Sequence, residues 1–270
     1  MHQAPEIRLS NLTLEFPTPD GKGTLKIFED FNLTIEQESF TILLGPSGCG
    51  KSTLLNVVNG LVPATRADAV EVFGEDIRQN PDVTRHMGYV FQSPRLLPWR
   101  TLRDNILFGL KGLRVQPKEK WRELADKYLS IVGLGEYGHY YPHQVSGGMQ
   151  QRAAIVRAWA NEPRVLLMDE PFSHLDEITA GELRHQLIEL WRREHPRRTV
   201  VFVTHDINEA VQLGQRIVML TQSPARIFHD ETVEYDWPRA ETDEELFELE
   251  KKLRRIFFER VISEPSETGV

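Results

Sequence analysis

The sequence predicts an α/β fold: a mainly parallel sheet, an antiparallel β section at its start, and a helical section inserted into the core. Three observations carry this. Short aliphatic or β-branched runs recur at Phe40 to Leu44, Arg164 to Glu170, Thr199 to His205 and Arg216 to Thr221, and helical stretches lie between the last three. Strands alternating with helices indicate a parallel sheet. Two early segments alternate apolar and polar residues on either side of the turn-rich PTPDGKG, as an antiparallel pair would. Between Ser93 and Ala160 the apolar spacing becomes helical and no good strand pattern occurs.

In chain order, the early strands are Glu6 to Phe16 and Leu25 to Gln37. FTILL (Phe40 to Leu44) is apolar throughout, as in a strand buried on both faces, and runs through a glycine loop into the helical KSTLLNVVNGLV. LRDNILFGL, KEKWRELADKYLSIVGL and GGMQQRAAIVRAWA form the helical insert. The tail TDEELFELEKKLRRIFFER places Leu246, Leu249, Leu253, Ile256 and Phe257 on one helical face, with acids first and bases last to complement the helix dipole. That face suits a closing helix docked on its own domain, or a partner contact. The expected organisation is one domain over 1–235, with the insert at about 93–160, and a tail over 236–270.

The 270 residues can bury a large core, and 40% hydrophobic with 27% charged residues is an ordinary globular balance. The net charge of -8 argues against a protein held mainly by nucleic-acid phosphates. Cys49 is the single cysteine, so no intrachain disulfide forms, which fits a reducing compartment. MHQAPEIRLS lacks the apolar region of a signal peptide, and no stretch approaches the roughly 20 apolar residues of a membrane span. Work at a membrane would need another chain to supply the span.

GPSGCGKST occupies Gly45, Pro46, Ser47, Gly48, Cys49, Gly50, Lys51, Ser52 and Thr53, after a strand and before a helix. This is the context a phosphate-binding loop requires, with backbone N–H groups curled round phosphates at the positive helix end. Lys51 is expected to reach the β- and γ-phosphates of a nucleotide, Ser52 to bind Mg²⁺ and Thr53 to donate to the α-phosphate. Cys49 is a small filler residue, or a thiol activated by the helix end whose alkylation would inhibit. VLLMDE ends an apolar strand in two acids: Asp169 is expected to hold Mg²⁺, and Glu170 to act as general base toward a water. VSGGMQQR (Val145 to Arg152) sets a hydroxyl and two glycines before a helix: a second anion-binding end or a plain cap. His139 and His143 lack the neighbours of a metal site.

Taken together, the phosphate loop at Gly45 to Ser52, Gln92 in YVFQ, VSGG at Val145 to Gly148, MDEP at Met168 to Pro171, SHLD at Ser173 to Asp176 and THD at Thr204 to Asp206 resemble the ATP-binding-cassette (ABC) family, from about Glu6 to Phe228. The resemblance implies a P-loop NTPase core and an ATPase that uses ATP and Mg²⁺. It implies that Phe16 stacks on adenine, Gln92 contacts Mg²⁺ and the attacking water, and His205 contacts the γ-phosphate and supports Glu170. It implies that Ser146, Gly147 and Gly148 serve the nucleotide of a second copy, with Asp176 on the dimer seam.

VFQSPRLLPWRTLRDNILFGL and the stretches around VSGG and THD are similar to an importer subgroup for nitrate, sulfonates, taurine or related solutes. This implies permease subunits, an extracytoplasmic solute-binding protein, and a peripheral place on the cytoplasmic membrane face. Leu96, Leu97 and Trp99 are then either insert core or a groove for the permease. An exporter ATPase and a soluble ABC clamp are the rival readings. Departures from the pattern are Val145, Met149, His174, and ATRADAVEVFGEDI, which lacks the usual glycine before its strand and suggests a rearranged turn.

Overall fold

The computed structural model of the chain describes residues 5–18, 20–113, 120–193, 195–239 and 243–263. The elements in order are β1 (Ile7–Pro17), β2 (Thr24–Ile35), β3 (Phe40–Leu44), α1 (Lys51–Val58), β4 (Ala69–Val72), β5 (Glu75–Asp76), β6 (Met87–Val90), α2 (Leu102–Leu113), α3 (Trp121–Ile131), α4 (Gly147–Ala160), β7 (Val165–Asp169), α5 (Glu177–Arg193), β8 (Thr199–Thr204), α6 (Ile207–Leu213), β9 (Arg216–Leu220), β10 (Ile227–Thr232) and α7 (Glu244–Ser263). They group into two compact units, residues 1–84 with 201–270, and residues 85–200.

In the first unit, β1 and β2 pair antiparallel, with Ile7 opposite Ile35 and Leu9 opposite Leu33. The inward-facing set then changes phase. Ile7 and Leu9 are buried, and after them Leu12 and Leu14. A one-residue slip turns a strand over, and Asn11, with φ 47°, absorbs it at a bulge. β4 pairs with the other edge of β1, and β5 returns beside β4, which gives the order β2-β1-β4-β5. The glycine-poor approach to β4 is tied down by the backbone: Thr65 and Arg66 N–H both donate to the Thr13 carbonyl.

A second set of strands in this unit runs β10-β9-β3-β8. β3 lies parallel to β9, with Thr41 opposite Arg216 and Leu44 opposite Met219. β3 is buried along its whole length, as its unbroken apolar run requires. β10 closes the edge antiparallel to β9. The apolar face of α7 docks within its own unit: Leu246, Leu249 and Leu253 are buried, and Phe257 meets Phe228. At the rim of that contact the Lys252 ammonium donates to Glu231 of β10 at 2.8 Å. The chain leading to α7 is anchored by Arg239, whose guanidinium donates to the Val211 and Gly214 carbonyls at the end of α6.

In the second unit β6 and β7 pair in parallel, with Val90 opposite Met168. Gly88 permits the close approach of β6 to β7 and to the loop before it, because a Cβ there would sit 2.8 Å from Leu166 Cδ1 and 3.0 Å from Pro163 Cγ. α2, α3 and α4 pack on one another through Leu102, Ile106, Leu110, Ala125, Leu129, Ala153 and Val156.

Candidate functional site

β3 delivers the chain into the glycine loop of the first unit. Gly48 and Gly50 hold φ 81° and 102°, left-handed values that a side chain resists. Gly50 is also crowded: a Cβ there would lie 2.4 Å from Ile27 Cγ2 and 3.1 Å from Phe28 Cζ. Lys51 is buried, and its ammonium donates to the Gly45 and Pro46 carbonyls at 2.7 and 2.9 Å. The cation therefore sits inside the curl of the loop. α1 has no side-chain cap and no acid in its first turn, so its amide end presents uncompensated positive potential. Ser52 lies exposed on that turn.

Of the two readings of Cys49, burial favours the filler. Activation of its thiol by the helix end is not what the structure holds. The side chain is buried against the Gly45 position, and burial pushes the thiol above its ordinary range, outweighing the pull of Lys51. It is a packing residue, as its small size allows.

Phe16, near the end of β1, is 38% exposed, so it does not fill the core. His205 follows β8 and is exposed. Its neighbours are pinned through one hydroxyl: Thr204 Oγ1 donates to Glu209 at 2.6 Å and accepts the Asp206 N–H at 3.0 Å.

In the second unit β7 ends in Asp169, which is buried, and Glu170 follows at once with φ 41°. A left-handed non-glycine residue costs on the order of 1–2 kcal/mol. The turn is held by Ser173, whose hydroxyl and N–H both donate to the Glu170 carbonyl. Gln92 Nε2 donates to Glu170 Oε2 at 3.4 Å. The structure thus brings together the two residues that the sequence placed 78 apart. Burial first, and then the charge of Asp169, push the nearby Tyr89 hydroxyl well above its ordinary range.

Ser146 is an N-cap whose Oγ accepts the Met149 N–H at 3.3 Å. α4 also has no acid in its first turn. Gly147 stands there with nothing among the described residues within 4 Å of where its Cβ would be, whereas a Cβ on Gly148 would meet Leu175 Cδ2 at 3.2 Å. Asp176 caps α5 by accepting the Thr179 N–H at 3.0 Å, and that bond lowers its carboxyl below the ordinary range. Leu96 and Leu97 are half-buried. Trp99 is 70% exposed, which removes the core reading for it. Asn105 fixes the turn between them by accepting from Leu97 N–H and donating to Leu97 O.

His139 lies against Tyr140, and His143 stacks on Tyr141. Among the described residues no group of three or more His, Cys, Asp or Glu side chains could form a metal cage. Glu209, Gln151 and Arg157 were not singled out by sequence, because a carboxylate, an amide or a guanidinium on a helix carries no local signal of its partner.

A glycine-rich loop after a buried strand, a serine-capped helix that begins with two glycines, and a carboxylate held beside a glutamine are features that a nucleotide-hydrolysing cassette requires. The family model for ABC transporters matches residues 28–173, and the chain belongs to the ABC transporter family as an ABC ATPase. It is 44% identical over 226 residues to the nitrate import ATP-binding protein NrtD of Synechococcus elongatus, covering 83% of this chain and 80% of that one. It is 37% identical over 235 residues to the aliphatic sulfonates import ATP-binding protein SsuB of Bacillus cereus, covering 87% and 90%. It is 39% identical over 257 residues to an uncharacterized ABC transporter ATP-binding protein of Methanocaldococcus jannaschii, covering 95% and 93%. Among solved structures, the dimeric post-hydrolysis state of an ATP-binding cassette bound to ADP and Pi matches with TM-score 0.72 and 32% identity, over 85% of this chain and 100% of that one.

Proposed function

We propose that this ATPase energises a membrane importer of small solutes of the nitrate or sulfonate kind. Two copies close on two ATP molecules, each Ser146-Gly147-Gly148 segment serving the nucleotide bound by the Lys51 loop of the other copy. The observation that carries the reading is Gly147: the first turn of α4 keeps a glycine that nothing among the described residues explains. A close-approaching group from outside the chain accounts for it.

In this reading the loop from Gly45 to Thr53 holds the phosphates and Phe16 the base. Glu170 takes a proton from water as the water oxygen attacks the γ-phosphorus, and the bond to the ADP oxygen breaks. Gln92 orients that water, and His205 holds the γ-phosphate. Most of the rate comes from positioning and electrostatics. The Ser52 hydroxyl, the Gln92 amide oxygen and the Asp169 carboxylate are hard oxygen donors. They suit Mg²⁺, which is bound through one or two carboxylates plus substrate phosphates rather than in an all-protein cage. Mg²⁺ when bound neutralises charge on the β- and γ-phosphates. No helix among the described residues is long and apolar enough to cross a membrane; in this reading permease chains supply the span. Exposed Trp99 with Leu96 and Leu97 is the proposed contact for them, and Asp176 lines the seam between copies. An extracytoplasmic binding protein would deliver the solute, and the chain works on the cytoplasmic face.

Complementation tests the shared sites. Lys51→Ala and Ser146→Arg are each expected to lack ATPase activity, and a mixture to regain part of it, since the mixed dimer keeps one complete set of site residues. A mixture no more active than either variant alone, while wild-type turns over, rejects the arrangement. Glu170→Gln is expected to bind ATP and to hydrolyse it roughly 10²–10⁴-fold more slowly, the usual worth of a general base.

A further inference from the structure

The loop that carries Gln92 is gripped on both sides by one helix. Ahead of Gln92, the Phe91 carbonyl accepts from Gln151 Nε2 at 3.3 Å. After it, the Pro94 and Arg95 carbonyls accept from the two ends of the Arg157 guanidinium, at 3.1 and 2.8 Å. Gln151 and Arg157 both belong to α4, whose first turn carries Ser146, Gly147 and Gly148. The loop is also closed on itself: the Arg95 guanidinium lies 4.0 Å over the Phe91 ring, and Arg95 has φ 44°. At its apex Gln92 reaches Glu170.

Arg157 is costly where it stands. Burial pushes it down from the ordinary arginine range, and among the described residues no carboxylate bonds it. Packing alone would be served by an apolar side chain of similar length. What the cation adds is a fixed fork on two successive carbonyls, which an arginine makes with little loss of freedom. A helix transmits displacement along its axis, and Ser146 to Arg157 spans about 16 Å at 1.5 Å per residue.

We infer that Arg157, helped by Gln151, is a positioning residue that ties the nucleotide-reading start of α4 to Gln92 and thereby to Glu170 of the same chain. Engagement of Ser146 by the other copy's nucleotide then sets the geometry of the hydrolytic pair here, so that one site governs the other. The inference rests on the shared-site reading above.

The test is a double-mutant cycle on turnover with Arg157→Met and Ser146→Ala, in the purified full chain with Mg-ATP. Arg157→Met is expected to lower kcat about tenfold, within the range for residues in one coupled network, while affinity for a fluorescent ATP analogue stays within about twofold. The decisive result is non-additivity: Ser146→Ala costs much less in the Arg157→Met background than in the wild type. A purely structural arginine would lower the melting temperature and give multiplicative effects, and that outcome overturns the inference. Should Arg157→Met not fold, Arg157→Lys carries the same cycle, with one ammonium serving the two carbonyls and a smaller loss of coupling expected. A wild-type rate indifferent to Ser146→Ala rejects the shared-site reading and this inference with it. A Ser146-dependent rate with multiplicative effects rejects the inference alone.

Discussion

The two helix starts proposed to meet phosphate, at Gly50 and at Ser146, differ in why they contain glycine. At Gly50 the reason is inside the chain: φ is 102° and a Cβ would strike Ile27. At Gly147 the backbone is helical and the space beside it is open among the described residues. The first loop is shaped by its own fold and encloses its own cation, Lys51. The second is a sound helix cap whose glycine, in the proposed reading, answers to the nucleotide of another copy. On that reading, what marks Gly147 is the absence, among the described residues, of any internal demand for it.

The strongest way to break this comparison is to fill both positions. Gly147→Ala is expected to cut turnover on the order of 100-fold, comparable to losing a transition-state donor. Its unfolding free energy should stay within about 0.5 kcal/mol, since alanine suits a helix better than glycine. A marked loss of stability in denaturant melts would place the demand for glycine inside the chain after all. Gly50→Ala should behave oppositely, losing about 2–4 kcal/mol of stability through left-handed strain and the Ile27 clash; an unshifted melt would contradict the crowding at that site.

The smallest expected effect lies away from both loops and calibrates an ordinary surface contact. Burial works to raise the Glu231 carboxyl, but the hydrogen bonds from Lys252 and His229 outweigh it and leave the group below the ordinary range. A carboxyl lowered on folding stabilises fully above its unfolded value of about 4.3 and loses that contribution as pH falls through the folded value. Lys252→Ala should therefore cost up to about 0.5 kcal/mol at neutral pH, with the difference from wild type fading in acid. A difference in thermal melts that persists at about pH 3, below the ordinary carboxylate range, would show that Lys252 acts on α7 by another route.

Much of this was legible in the chain. β3, β7, β8 and β9 announce themselves because buried parallel strands are unbroken apolar runs. β4 and β6 are four residues each, and β6 contains Gly88. Such segments are too short for a period to show. β10, IFHDET, is a half-exposed edge with mixed polarity. The motif residues Lys51, Glu170 and Ser146 are legible because local geometry needs those types at those spacings. Arg157 and Glu209 are not, since their partners lie 62 and 5 residues away across turns that no pattern specifies.

By itself the sequence determined the order of strand, loop and helix, the two glycine-bearing helix starts and the acids at the end of β7. Neighbouring residues encode periodicity, turns and caps, so those features are local. Only the tertiary structure decided that Cys49 is a buried filler, that Trp99 is open to solvent, that the apolar face of α7 docks on its own unit, and that α4 grips the loop around Gln92. Burial and long-range hydrogen bonds depend on which distant segments arrive at the same place, and that is a property of the packed chain rather than of any stretch of it.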